Sequence, residues 1–264
     1  MKRLQDKVAV VTGGGSGIGR AIGLEFAREG AHVVVISNVG QETEDVAQEV
    51  RSLGRKGIGI VADVTDAERV KSIADEVNRK FGRTDILVTS AGVMGERSLI
   101  FKTSEEGWRR TIEINLNAGF YCIKAFLPKM MEQKSGRVIM ISSVSGKLPA
   151  GRNADYAASK HGLIGLTKCL AIEMCLLGLP GITANAICPG HTDTPMISAI
   201  TEHLRPRTGD TAEKFKEERI ASTCPQKRLL DPAEIAYMAV YLASDEARGV
   251  TGQAMNVDGG LVLF

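Results

Sequence analysis

The chain is poor in aromatic residues, at 5% of 264 positions with a single Trp. No stripe of aromatics interleaved with basic residues occurs, and 33 Lys and Arg against 31 Asp and Glu leave a net charge of +2. No nucleic-acid or polybasic membrane partner is expected from such a balance. Cysteine is sparse: Cys122, Cys169, Cys175, Cys188 and Cys224 form an odd set with no CxxC. They read as reduced, mostly buried thiols. The histidines His32, His161, His191 and His203 show no metal-ligand spacing, so no metal site is expected. Long apolar runs are missing too. The first, Val8 to Val11, is only four residues, too short for a signal-peptide core, and no stretch reaches membrane-spanning length. A cytoplasmic protein with no membrane partner is the expectation. What remains is an ordinary globular composition, 44% hydrophobic and 24% charged. The length suits one large α/β domain over residues 1–264.

Short apolar runs alternate with amphipathic segments along the whole chain. Strands are predicted at Val8–Val11, His32–Ile36, Gly57–Ala62, Ile86–Val88, Arg137–Ser142, Ile182–Ile187 and Gln253–Val257. Helices are predicted at Gly17–Gly30, Glu42–Leu53, Asp66–Phe81, Ser104–Ile114, Asn115–Glu132, Ala154–Leu176 and Asp231–Leu242. Such alternation gives a parallel sheet with helices on both faces. Right-handed crossovers and a glycine turn after the first strand make it doubly wound. The stretch 191–227 breaks the pattern. It is charged, contains Pro195, Pro206 and Pro225, and reads as a substrate lid.

The glycine turn is Thr12-Gly13-Gly14-Gly15-Ser16-Gly17-Ile18-Gly19. Glycines at the junction of strand and helix allow a tight turn and close backbone approach to a pyrophosphate at the helix N-terminus. Asp63, after the third strand, is placed to accept from an adenine amino group, with Val64 packing beside the ring; an ordinary helix-starting Asp is the plainer alternative. The end of the second strand discriminates between the two nicotinamide dinucleotides. An acid there binds a ribose diol and an Arg accommodates a 2′-phosphate. Here the residues are Ser37 and Asn38, and Ser16 in the turn is not basic either. The reading leans to NAD over NADP, because an uncompensated phosphate is the costlier omission.

Tyr156 and Lys160 stand four residues apart, one turn of helix, on one face. A phenol has an ordinary pKa of about 10. A neighbouring cation favours the phenolate and draws that value toward neutrality. A lone YxxxK occurs often by chance; its weight comes from the nucleotide turn at the other end of the chain.

Taken in order, these motifs resemble the short-chain dehydrogenase/reductase family, in its compact single-domain form. The resemblance runs through Thr12–Gly19, Asp63, Asn115, Ser143, Tyr156 to Lys160, Pro189-Gly190-His191-Thr192-Asp193-Thr194, and the closing Thr251-Gly252 and Val257-Asp258-Gly259-Gly260. It implies a doubly wound Rossmann fold with a seven-stranded, mostly parallel sheet. It implies hydride transfer between NAD or NADP and a secondary alcohol or ketone. Tyr156 would be the general acid/base, Lys160 would hold the nicotinamide ribose and depress the Tyr156 pKa, and Ser143 would donate to the substrate oxygen. Asn115 would hold a water beside Lys160. Gly13, Ser16, Gly17, Ile18, Gly19, Ser37, Asn38, Asp63, Val64, Ser90, Ala91 and Gly92 would line the dinucleotide site together with Tyr156, Lys160, Pro189, Gly190, Thr192 and Thr194. A homotetramer is the family expectation.

One departure is Thr89-Ser90-Ala91-Gly92, where the family has NNAG. The substrate pocket is expected to draw on Met94, Glu96, Lys147, Leu148, Arg152, His191 and Met196. Arg152 could hold an anion, although a solvated loop Arg is the simpler reading; Arg205, Arg207 and Arg219 invite the same thought. A 3-oxoacyl-thioester reductase or 3-hydroxyacyl dehydrogenase is the alternative within the family. Sugar epimerases and dehydratases carry TGxxGxxG on longer chains, and enoyl reductases space Tyr and Lys more widely. A non-catalytic nucleotide-binding protein would be expected to lose Tyr156, Lys160 or Ser143.

Overall fold

The computed structural model describes residues 2–204 and 211–264, without the side chains of Leu204 and Arg219. Arg205, Pro206 and Arg207, and the side chain of Arg219, lie outside what is described.

Seven strands form one sheet: β1 (Val8–Thr12), β2 (His32–Ser37), β3 (Gly57–Val61), β4 (Ile86–Thr89), β5 (Gly136–Ile141), β6 (Ile182–Pro189) and β7 (Ala254–Val257). Their order is β3-β2-β1-β4-β5-β6-β7 and every pairing is parallel. The sequence reading of a mostly parallel sheet is thus sharpened to a wholly parallel one. Nine helices are described: α1 (Gly17–Arg28), α2 (Gly40–Ser52), α3 (Ala67–Phe81), α4 (Glu105–Ile112), α5 (Ala118–Gln133), α6 (Ala154–Leu176), α7 (Pro195–Leu204), α8 (Ala212–Phe215) and α9 (Pro232–Ala243).

Strands buried on both faces need apolar residues at successive positions, which is why β1 reads Val-Ala-Val-Val rather than alternating. Ala9 and Val11 point into one core with Ile22 and Phe26 of α1, Val46 of α2 and Ile235 and Val240 of α9. Val8 and Val10 point into the other, with Ile73 of α3, Phe126 of α5 and Leu163 of α6. Helix ends follow local chemistry. Asp66 caps α3 by accepting from the Arg69 amide at 2.9 Å, and Gly82 closes it at φ 72°. Asp231 and Glu234 form a capping box at α9, with Pro232 in its first turn.

Between α4 and α5 the backbone does not break, as two separate helices would require. Glu113–Asn117 form a π-turn that joins them, one residue wider than α-helix, with Asn115 at its centre. Two loops meet where strand order reverses, between β1 and β4. A Cβ built on Gly13 would stand 2.6 Å from the Ala91 nitrogen. In open α/β sheets ligands bind at that crevice, at the carboxyl ends of the strands.

Candidate active site

The loop after β1 has no room for side chains. A Cβ on Gly19 would lie 2.2 Å from the Gly13 carbonyl oxygen, and Gly17 adopts φ 53°. Both constraints demand glycine. Across the groove, a Cβ on Gly17 would be 3.3 Å from Thr194 Cγ2, so the glycine turn faces the segment after β6. Thr194 is tied back through its hydroxyl to the Thr192 carbonyl at 3.2 Å, and buried Thr192 to that of Gly190 at 3.1 Å. A Cβ on Gly190 would meet Asp258 Cα at 2.7 Å, so the closing segment backs this wall. These bare backbones form a cradle that side chains would fill, and its shape fits a dinucleotide.

Asp63 is exposed and accepts from the Thr65 amide and hydroxyl at 2.9 and 2.8 Å through Oδ1. The helix cap is Asp66, so Asp63 is not spent on starting α3. Val64 is buried in the core beside it. Ser37 ends β2, and Ser90, Ala91 and Gly92 follow β4. One acid was not legible in advance. A Cβ on Gly15 would stand 3.1 Å from Ser37 Oγ and 3.3 Å from Glu42 Oε2, so α2 brings a carboxylate to the end of β2. The signal was an acid in the first helical turn after that strand.

Ser143 and Tyr156 come together as expected. Burial pushes the Tyr156 phenol above its ordinary value, while a hydrogen bond with Ser143 and the positive charge of Arg97 pull it down. Lys160 is buried, its Nζ 5.6 Å from the Tyr156 ring centroid and donating to the Ile141 carbonyl at 2.9 Å. Burial lowers its own pKa to about 8. The charge of Arg97 favours the Tyr156 phenolate. Ser142, the neighbour of Ser143, donates instead to the Lys160 carbonyl at 2.8 Å and holds the helix.

Asn115 accepts from the Val93 amide at 2.7 Å, and its side-chain nitrogen donates to the Val93 carbonyl at 3.0 Å and Ser159 Oγ at 3.1 Å. It fixes the loop after β4 against the catalytic helix. A Cβ on Gly92 would reach within 3.2 Å of Asn115 Oδ1 and 3.6 Å of Lys160 Nζ.

The expected pocket residues divide. His191 is half-buried, its pKa lowered by burial and by Arg97, and Met94 and Met196 are half-buried as well. Glu96 turns its carboxylate away to the Ser104 amide, at 2.8 Å, at the start of α4. Lys147 donates to a Phe264 main-chain oxygen at 2.8 Å, and Leu148 and Arg152 are exposed.

The comparisons agree with this geometry. The family described as "Enoyl-(Acyl carrier protein) reductase" matches residues 13–262. This chain belongs to the short-chain dehydrogenase/reductase family. It is 34% identical to a 3beta-hydroxysteroid dehydrogenase of Mediterraneibacter gnavus, covering all of this chain and 98% of the relative. It is 37% identical to a 3-oxoacyl-(acyl-carrier-protein) reductase of Thermotoga maritima, over 99% of this chain and 100% of the relative. An actinorhodin polyketide ketoreductase solved with NADPH superposes at TM-score 0.92, with 34% identity and full coverage of both chains. A carveol dehydrogenase from Mycobacterium avium solved with NAD superposes at 0.94, with 28% identity over 99% of each chain. The short-chain dehydrogenase/reductase described here is an NAD(P)-dependent oxidoreductase of the alcohol–ketone type. Among the described residues no helix is long and apolar enough to cross a membrane.

Proposed function

We propose that Tyr156 is the general acid/base of this oxidoreductase and that Ser143 holds the substrate oxygen. The single observation that carries the reading is the Ser143 hydroxyl brought to the half-buried Tyr156 phenol, with the Lys160 ammonium 5.6 Å from the ring centroid. A bound nicotinamide would exchange the hydride with the carbinol carbon. In reduction the Tyr156 hydroxyl gives its proton to the oxygen as negative charge develops there; in oxidation the phenolate takes it back. Ser143 donates to the same oxygen, an electrostatic role that strengthens as charge grows. Lys160, buried and close to Gly92, would hold the ribose hydroxyls, and Asn115 would keep a water beside it. The described parts of the lid segment, 191–204 and 211–227, would lie over the substrate.

For the cofactor, the Glu42 carboxylate near Ser37 and Gly15, and the lack of a cation at Ser16, Ser37 or Asn38, favour NAD. A homotetramer fits the apolar residues left exposed on α6 and at the C-terminus: Ile172, Leu176, Leu177, Leu263 and Phe264. A 3-oxoacyl-thioester reductase is the second reading, favoured by the 37% identity to the Thermotoga maritima enzyme.

The test is Tyr156→Phe. It should bind NADH within about twofold of wild type in a fluorescence titration while kcat falls by roughly 10²–10⁴ on a panel of secondary alcohols and ketones. Unchanged turnover would refute the acid/base role.

A further inference from the structure

The loop after β4 carries a cation, Arg97, to which the proposed reaction assigns no contact with substrate or cofactor. Arg97 has a left-handed backbone at φ 53°, a conformation uncommon for a non-glycine residue and one that recurs at functional sites. The residues before it are pinned to the catalytic helix. The Glu96 amide donates to Asp155 Oδ2 at 3.0 Å, and a Cβ on Gly95 would lie 2.5 Å from that same oxygen. Asp155 immediately precedes Tyr156, and the anchored loop brings the Arg97 charge close enough to act on the phenol.

Arg97 is half-buried, and among the described residues its guanidinium has no hydrogen bond or ion pair. The nearest acids in the loop are already taken. Glu96 accepts from the Ser104 amide at 2.8 Å, and the Asp155 carboxylate is buried under donors from Glu96, Thr111 and Tyr156. His191, close enough to sense the Arg97 charge, is held toward the neutral form by burial and by that charge, so it offers no countercharge. A guanidinium taken partly out of water with no anion is an unfavourable arrangement in itself, and a planar fork of donors matches a carboxylate or phosphate.

We propose that Arg97 is a specificity residue that pairs with an anionic group, carboxylate or phosphate, on the ketone or alcohol substrate. The inference rests on the reading of Tyr156 as the reacting acid/base, since it orients the substrate relative to that hydroxyl.

Matched pairs of ketones test it: acetoacetate against its methyl ester, and dihydroxyacetone phosphate against dihydroxyacetone. Each is reduced by wild type, Arg97→Gln and Arg97→Lys. The charged-to-neutral ratio of kcat/KM in one pair should fall about 10- to 100-fold in Arg97→Gln and keep an intermediate value in Arg97→Lys. The pair that responds tells carboxylate from phosphate. An unchanged ratio in both pairs overturns the inference. A second arm does not depend on turnover. Acetoacetate and dihydroxyacetone phosphate are titrated calorimetrically into the enzyme saturated with NAD, and one of them should bind about tenfold more weakly to Arg97→Gln. If no ketone is reduced but this loss appears, the redox reading fails and the anion site stands. If ketones are reduced and both anions bind wild type and variant alike, the anion site fails and the redox reading stands.

Discussion

Lys160 Nζ donates to the Ile141 carbonyl at 2.9 Å, inside the protein at the end of β5. One hydrogen bond to a neutral oxygen does not replace the water an ammonium loses on burial. That is why its pKa falls from an ordinary 10.5 to about 8. The sign of the linkage follows. Below pH 8 folded and unfolded chains both carry the charge, and the fold bears its full desolvation cost. Between pH 8 and 10.5 the folded chain sheds the proton first, so the cost is relieved as pH rises. The cost is on the order of 3 kcal/mol. Tyr156 and Cys122, both raised by burial, act oppositely at high pH but are common to wild type and variant. Lys160→Met should therefore melt higher than wild type at pH 7, by on the order of 5 °C, and the gap should close by pH 10. Differential scanning fluorimetry across that range checks it. A gap that does not change with pH would mean that Lys160 is not desolvated.

Asp155 joins three elements through one buried carboxylate. It accepts from the Tyr156 amide at 2.8 Å, the Glu96 amide at 3.0 Å and Thr111 Oγ1 at 3.0 Å. Asp155→Asn turns an amide group toward at least one of these donors. It should cost about 1–3 kcal/mol for each buried donor left unpaired. Since the loop it holds carries Arg97, kcat/KM should fall further than the change in melting temperature accounts for. Thr111→Val, which removes one donor cleanly, should cost less. Thermal melts alongside kinetics at a temperature well below the transition separate the two effects.

Much of this arrangement was legible in the sequence, and the parts that were not share a cause. Gly13, Gly17 and Gly19 announce themselves because their constraint is local: a turn that only glycine satisfies. Tyr156 and Lys160 are readable because helical spacing alone puts them together. Arg97 is not readable, since it gains meaning from Asp155, and the anchoring contact from Glu96 spans 59 residues. Glu42 was hidden in the same way, reaching the end of β2 only after α2 folds back on Gly15. The π-turn at Glu113–Asn117 escaped because one extra residue in a helix leaves the apolar spacing on either side intact.

The proposed preference for NAD rests on the position of Glu42. A carboxylate near Ser37 repels a 2′-phosphate, and nothing at Ser16 or Asn38 offsets it. Wild type should bind NADH more tightly than NADPH. The double variant Glu42→Gln, Asn38→Arg should shift the ratio of the two dissociation constants toward NADPH by about 10- to 100-fold. Fluorescence titration of each nucleotide measures it, and an unchanged ratio would show that Glu42 does not sense the phosphate.

Two glycines in α1 should respond oppositely to the same substitution. A Cβ on Gly23 would meet only Val33 Cγ1, at 3.6 Å, an ordinary contact. Alanine is the better helix former by about 1 kcal/mol, so Gly23→Ala should hold or raise the melting temperature and leave nucleotide binding intact. A Cβ on Gly19 would lie 2.2 Å from the Gly13 carbonyl oxygen and 2.8 Å from its carbon, both backbone atoms that no rotamer change can move. Gly19→Ala must therefore push the turn away from the helix N-terminus, where the main-chain amides would meet the pyrophosphate. Its affinity for NADH should drop by at least tenfold, measured by titration at a temperature where the variant is still folded. If Gly19→Ala bound NADH as tightly as Gly23→Ala, the glycine turn would not be the dinucleotide cradle.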